Sequence, residues 1–185
     1  SGVTGAATST AVSWLGTDAS GRVWAASADG LSRLTKDGLG PVTVAAPDIA
    51  SAAMGPGNTF YMITGDGKLV LHDGMASREL ADILTWTGAQ ARALVVDALG
   101  GVWIATGAGL AHLAADGAQS LYTRDNGLLS SDVRGVGLDS EGNIWVASAS
   151  GLARLRPDGR WTRFTVESTG GGLRDMDMRD LSVGP

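Results

Sequence analysis

Three arginines recur in step with the rest of this sequence, at Arg92, Arg134 and Arg179. A planar guanidinium grips a carboxylate, sulfate or phosphate through two parallel N–H bonds, so three of them brought together would form an anion clamp. The alternative is structural: each arginine stacks against its neighbours or pairs with Asp132, Asp175 or Asp177. Arg92, Arg134, Arg179 and Asp132 are therefore the candidate ligand-binding residues.

Other chemistry is poorly represented. The two histidines, His72 and His112, form no His-x-x-x-His pair or carboxylate cluster at ligand spacing, so neither a metal nor another cofactor is expected. Asp139-Ser140-Glu141-Gly142-Asn143 is too short for a calcium loop and lacks the distal glutamate, and it reads as a hairpin turn. Ser148 is not framed as Gly-x-Ser-x-Gly, and Ser27, Thr64 and Thr106 stand at the same place in other repeats, which points to a structural hydroxyl rather than a nucleophile. Gly170-Gly171-Gly172 is followed by leucine and reads as a flexible connection, not a phosphate loop. No catalytic residue is expected. Trp14 and Trp86 lie outside the repeating aromatic series, as binding platforms or as fillers between sheets.

Composition narrows the classes further. Glycine makes up 28 of 185 residues, about twice its usual share, which favours turn-rich extended structure over long helices. With 14 basic against 19 acidic residues and a net charge of -5, a nucleic-acid or anionic-membrane surface is not expected. There is no cysteine, hence no disulfide or thiolate site. No apolar run approaches the roughly 18 residues needed to span a bilayer.

The elements that must position the arginines come from an internal repeat. Val23-Trp24-Ala25-Ala26-Ser27, Val102-Trp103-Ile104-Ala105-Thr106 and Ile144-Trp145-Val146-Ala147-Ser148 are near copies, and Phe60-Tyr61-Met62-Ile63-Thr64 is a fourth with tyrosine as its anchor. Each anchor is followed by a glycine, at Gly30, Gly67, Gly109 or Gly151, and later by an Asp-Gly pair. Three units carry Asp-x-x-Gly upstream, starting at Asp18, Asp97 and Asp139, whereas the second has Gly55-Pro56-Gly57-Asn58 and is expected to be distorted. Alternation at period two in Arg134-Gly135-Val136-Gly137-Leu138, followed by tight turns and an aromatic strand, makes four short antiparallel strands per unit. That is a propeller blade. The predicted fold is all-β, a β-propeller with blades at about 11–47, 48–89, 90–131 and 132–172. Residues 173–185 supply the first strand of a fifth unit or a closing strand, with Asp177 to Val183 in register with Asp132 to Leu138. The segment from Arg78 to Leu84 is helix-prone but is placed as an outer strand by the register.

Asp139-Ser140-Glu141-Gly142-Asn143-Ile144-Trp145-Val146-Ala147-Ser148, followed by Gly151-Leu152-Ala153-Arg154-Leu155, closely resembles the two-component regulator propeller repeat, with relatives among NHL and streptogramin-lyase repeats. The resemblance runs from about Val12 to Val183. It implies a non-enzymatic ligand-sensing or partner-binding module, periplasmic or extracellular, as in bacterial two-component or diguanylate cyclase signalling proteins. The implied partner is a small molecule, glycan fragment or protein at the channel mouth. A lyase or hydrolase on the same ring and a pure blade-assembly module are the alternatives. Family propellers have six to eight blades, so the end blades must be covered by ring closure, by a homodimer or by further blades of a longer protein, and the fifth-unit strand favours the last.

Overall fold

A computed structural model describes residues 11–18, 20–44, 46, 48–179 and 181–183. Residues 1–10 lie outside that set. The chain is all-β, with four four-stranded antiparallel blades, the fold class of a β-propeller. Blade one contains β1 (Val12–Thr17), β2 (Val23–Ser27), β3 (Gly30–Thr35) and β4 (Gly38–Val44). Blade two contains β5 (Ile49–Met54), β6 (Phe60–Thr64), β7 (Lys68–His72) and β8 (Ser77–Asp82), followed by a helical turn, α1 (Ile83–Thr87). Blade three is β9 (Ala91–Val96), β10 (Val102–Thr106), β11 (Gly109–Leu113) and β12 (Gln119–Tyr122). Blade four is β13 (Val133–Leu138), β14 (Ile144–Ser148), β15 (Gly151–Leu155) and β16 (Trp161–Phe164). Each blade is a meander in chain order. The chain divides into two compact units, Ser1–Ile83 and Leu84–Pro185.

Within each unit, the aromatic strand of one blade is buried against the next. In the first, Ala26, Leu31, Ile49, Phe60 and Met62 share a core with Trp14 and Trp24 packed on its margin, so Trp14 acts as a filler. In the second, Trp103, Leu110, Val133, Val136, Ile144 and Leu155 form the core, with Tyr122 and Trp161 against it. Burying such side chains contributes about 1.5–3 kcal/mol each, which makes the blade-to-blade interface the main source of stability.

One local device recurs in the three blades that carry Asp-x-x-Gly. The aspartate folds its own turn and holds the tryptophan six residues on. Asp97 Oδ1 accepts the N–H groups of Leu99 and Gly101, both at 2.9 Å, and its Oδ2 accepts Trp103 Nε1 at 3.0 Å. Asp18 does the same for Ser20, Arg22 and Trp24, and Asp139 for Glu141, Asn143 and Trp145. The Trp24 indole, with the backbone donors, holds the Asp18 carboxyl well below the usual carboxylate range. At Asp139 burial opposes ionisation, but donation from Asn143 and Trp145 prevails and lowers the group from 3.8 to about 2.

Blade two lacks this aspartate and is nevertheless complete, contrary to the distortion its sequence suggests. Gly55 N–H donates to Thr59 O at 2.9 Å and Thr59 Oγ1 to Pro56 O at 2.9 Å, so backbone and threonine close the turn, and Tyr61 is buried in the anchor place. The helix-prone segment divides: β8 runs to Asp82, then the chain turns into α1, whose buried Ile83 donates to Gly67 O at 2.9 Å. Trp86 on α1 is half-buried. In the tail, Met178 N–H donates to Ser148 O at 3.2 Å, and a Cβ on Gly137 would meet Val183 at 2.5 Å and Leu181 at 3.3 Å. Among the described residues of this tail no strand forms: the expected fifth-unit strand is instead an irregular segment that touches the end of β14 and Gly137 of β13 without joining a ladder.

Gly109 has φ +148°, and a Cβ there would stand 2.4 Å from Tyr122 O. Gly109→Ala is expected to destabilise the chain by about 1–3 kcal/mol, read as a lower urea midpoint. Because the folded state lowers the Asp139 carboxyl, its contribution is complete above the unfolded value of 3.8 and is lost as pH falls through about 2. Urea titrations across that window should show stability falling with pH, with a shallower fall for Asp139→Asn.

Candidate functional site

The first strand of every blade breaks register against the second, at the same place each time. The residue skipped is Ser13 in β1, Ala50 in β5, Arg92 in β9 and Arg134 in β13. Such a bulge leaves one residue unpaired and re-aims its side chain out of the strand's alternation. In β13 regular pairing resumes at Gly135 and runs to Leu138, but the expected period-two burial does not appear, since Gly135, Val136 and Gly137 are all buried.

The re-aimed side chain reaches the following blade. In the first unit Ser13 Oγ donates to Ile49 O, and in the second Arg92 Nη1 donates to Val133 O at 2.9 Å and to the Asp132 carboxylate. Ile49 and Val133 both open the first strand of the next blade, so a hydroxyl and a guanidinium perform one task. Arg134 repeats it one blade on: Nη1 donates to Asp177, while Nε and Nη2 donate to Asp132 Oδ2 at 3.3 and 3.2 Å. Arg179 Nε stands 3.8 Å from Asp177 Oδ2.

The four sequence-predicted residues therefore come together, joined by Asp177, in a row of alternating charge: Arg92, Asp132, Arg134, Asp177, Arg179. Asp175 is instead used within its own turn, accepting Asp177 N–H at 3.0 Å. The Arg92 hydrogen bond, with Arg134, holds the Asp132 carboxyl below its ordinary value. Partial burial of Arg134 is outweighed by its bonds to Asp132 and Asp177, which raise it. Three cations against two carboxylates leave the row with a positive surplus in a chain of net charge -5. Along it the side chains of Arg92, Arg134 and Arg179 are 42%, 27% and 87% exposed, the middle one least and the last most. Arg179 has the most unspent donor capacity.

The remaining candidates have structural settings. Ser148 Oγ donates to Gly151 O at 2.9 Å and Thr106 Oγ1 to Gly109 O at 2.8 Å, closing the turns between second and third strands. His112 lies opposite Trp103 in the ladder and stacks on it, ring centres 3.8 Å apart and 13° from parallel. Burial lowers its pKa, partly offset by Asp97 and Asp116, so the ring is neutral near pH 7. It sits beside the Asp97 turn, at the far end of its sheet from Arg92. Arg154 occupies the corresponding place in blade four, 5.2 Å from the Trp145 ring centre and 6.0 Å from that of Phe164. His72 Nδ1 is 3.0 Å from Ser77 Oγ. Among the described residues no group of three His, Asp or Glu is placed to hold a metal ion, and no helix is long and apolar enough to cross a membrane.

Solved structures share this architecture. The extracellular domain of the hybrid two-component system BT3049 from Bacteroides thetaiotaomicron aligns at TM-score 0.66 and 18% identity, over 88% of this chain and 23% of that one. A virginiamycin B lyase from Staphylococcus aureus aligns at TM-score 0.64 and 17% identity, over 83% of this chain and 55% of the lyase. The fold is theirs. The neighbours thus include both propeller types that the repeat resembles. An auxiliary nutrient binding protein from Bacteroides ovatus also aligns, at TM-score 0.57 and 13% identity, over 83% of this chain and 46% of that one. The chain spans about a quarter of the sensor domain and just over half of the lyase. No protein-family model and no curated protein sequence matches it.

Sequence reasoning found the arginines and offered Asp132 and Asp177 among their partners, but not the bulges that aim them or the joining of all five residues into one row. The signal for that joining was the Asp-x-Arg spacing shared by Asp132/Arg134 and Asp177/Arg179. Asp132→Ala should lower stability only modestly, by less than about 1 kcal/mol for each half-exposed pair it removes, with the loss shrinking at high salt. Urea midpoints at two ionic strengths test this.

Proposed function

We propose that this chain is a recognition module rather than an enzyme, acting outside the bacterial cytoplasm as part of a sensing or nutrient-responsive system. The arginine row is its contact for an anionic group on a small molecule, a glycan fragment or a protein partner. The observation that carries this reading is the recurrent bulge, which aims an arginine from successive blades into one line with a surplus of positive charge. Bulges are over-represented beside functional sites because they free a side chain from the sheet's packing. Two-component sensor domains and a nutrient binding protein among the fold neighbours support the same reading. Against catalysis, the row consists of arginines and aspartates spent on one another, and His112 is stacked on Trp103 at the other end of its sheet.

Calorimetry with sulfate, inorganic phosphate and glucuronate tests the proposal. At least one should bind, and Arg179→Ala, at an exposed position, should weaken it roughly threefold to tenfold. An Arg92→Ala, Arg134→Ala double variant that stays folded should abolish binding. Unchanged binding in both variants would remove these arginines from the site.

A further inference from the structure

In each unit a cleft opens between the two blades beside the turn joining first and second strands, at the far end of those strands from the bulges. The repeat makes the two clefts equivalent: Asp97, Trp103 and Ile144 line one where Asp18, Trp24 and Phe60 line the other. Their contents differ. The cleft of the second unit is about 520 Å³ and that of the first about 300 Å³. In the first, Arg22 lies at the cleft and is bound to Asp18 at 2.6 Å. In the second, Gly101 replaces that arginine, and the guanidinium at the lip is Arg156 from the facing blade. Arg156 is exposed and makes no side-chain hydrogen bond or ion pair among the described residues.

The wall of the larger cleft is aliphatic: Leu99, Leu138, Leu155 and Pro157 line it, with Leu99 87% exposed at the tip of its turn. A volume of this size is typical of small-molecule sites, which combine an apolar wall with a few orienting polar groups. The two aspartates on the lining are occupied. Asp139 accepts from two backbone N–H groups, Asn143 and Trp145, and Asp97 from two backbone groups and Trp103. The Trp103 ring is covered by His112 and Tyr122, so it offers no open face for a sugar. What remains available is an aliphatic surface and one unpaired cation.

We propose that the cleft between blades three and four binds an amphipathic carboxylate, its hydrocarbon chain against Leu99, Leu138 and Pro157 and its acid head on Arg156. The site is separate from the arginine row and does not depend on it. Calorimetry on the whole chain with decanoate, decanol and decyltrimethylammonium tests this, each below its micelle concentration. Decanoate should bind most tightly and the cation least. Arg156→Gln should weaken decanoate roughly threefold to tenfold while leaving decanol unchanged. Leu99→Asp should abolish both, and Arg179→Ala should affect neither. Leu99 and Arg156 are exposed, and near-ultraviolet circular dichroism matching the parent would verify folding. Absence of decanoate binding, tighter binding of the cation, or indifference of decanoate to Arg156→Gln would each overturn the proposal.

Discussion

The bond from tryptophan indole to aspartate carboxylate is the interaction on which the rest of the chain depends. It fastens the turn between first and second strands to the aromatic residue that fills the gap between blades, so local geometry and long-range packing are set by one carboxylate. An indole N–H buried without an acceptor costs about 1–3 kcal/mol, which makes the pairing obligatory wherever tryptophan is the anchor. Blade two shows the converse. With Tyr61 as anchor the aspartate is absent, and a threonine with backbone carbonyls is enough to close the turn.

That coupling explains which features were legible in the sequence. The Asp, Gly and Trp positions each answer to local chemistry, so their spacing reveals the strands, the turns and the structural hydroxyls at Ser27, Thr106 and Ser148. The bulges were not legible, because a register break belongs to the pairing of two strands. Ser13, Ala50, Arg92 and Arg134 share no property that would mark it. The integrity of blade two was hidden for a related reason: a substitute turn uses different residues to satisfy the same donors. At the end of β8, Ile83 leaves the strand because its side chain buries inward and its N–H finds Gly67, a tertiary preference that no propensity scale contains.

The candidate site was half legible. Recurrence picked out the arginines, and the alternative of pairing with Asp132 or Asp177 is realised for Arg92 and Arg134. Structural pairing and ligand contact are not exclusive, since a guanidinium has five N–H donors and a carboxylate partner satisfies two at most. The pairing orients the row and leaves donors over, most of all on Arg179.

Because the skipped residue in each first strand takes no part in the ladder, its identity is released from the demands that fix the rest of the blade. Serine, alanine and arginine all occupy it here. Each repeat thus carries one site where sequence drift can rewrite the surface without cost to the core, and a lineage of such proteins could change that surface one blade at a time.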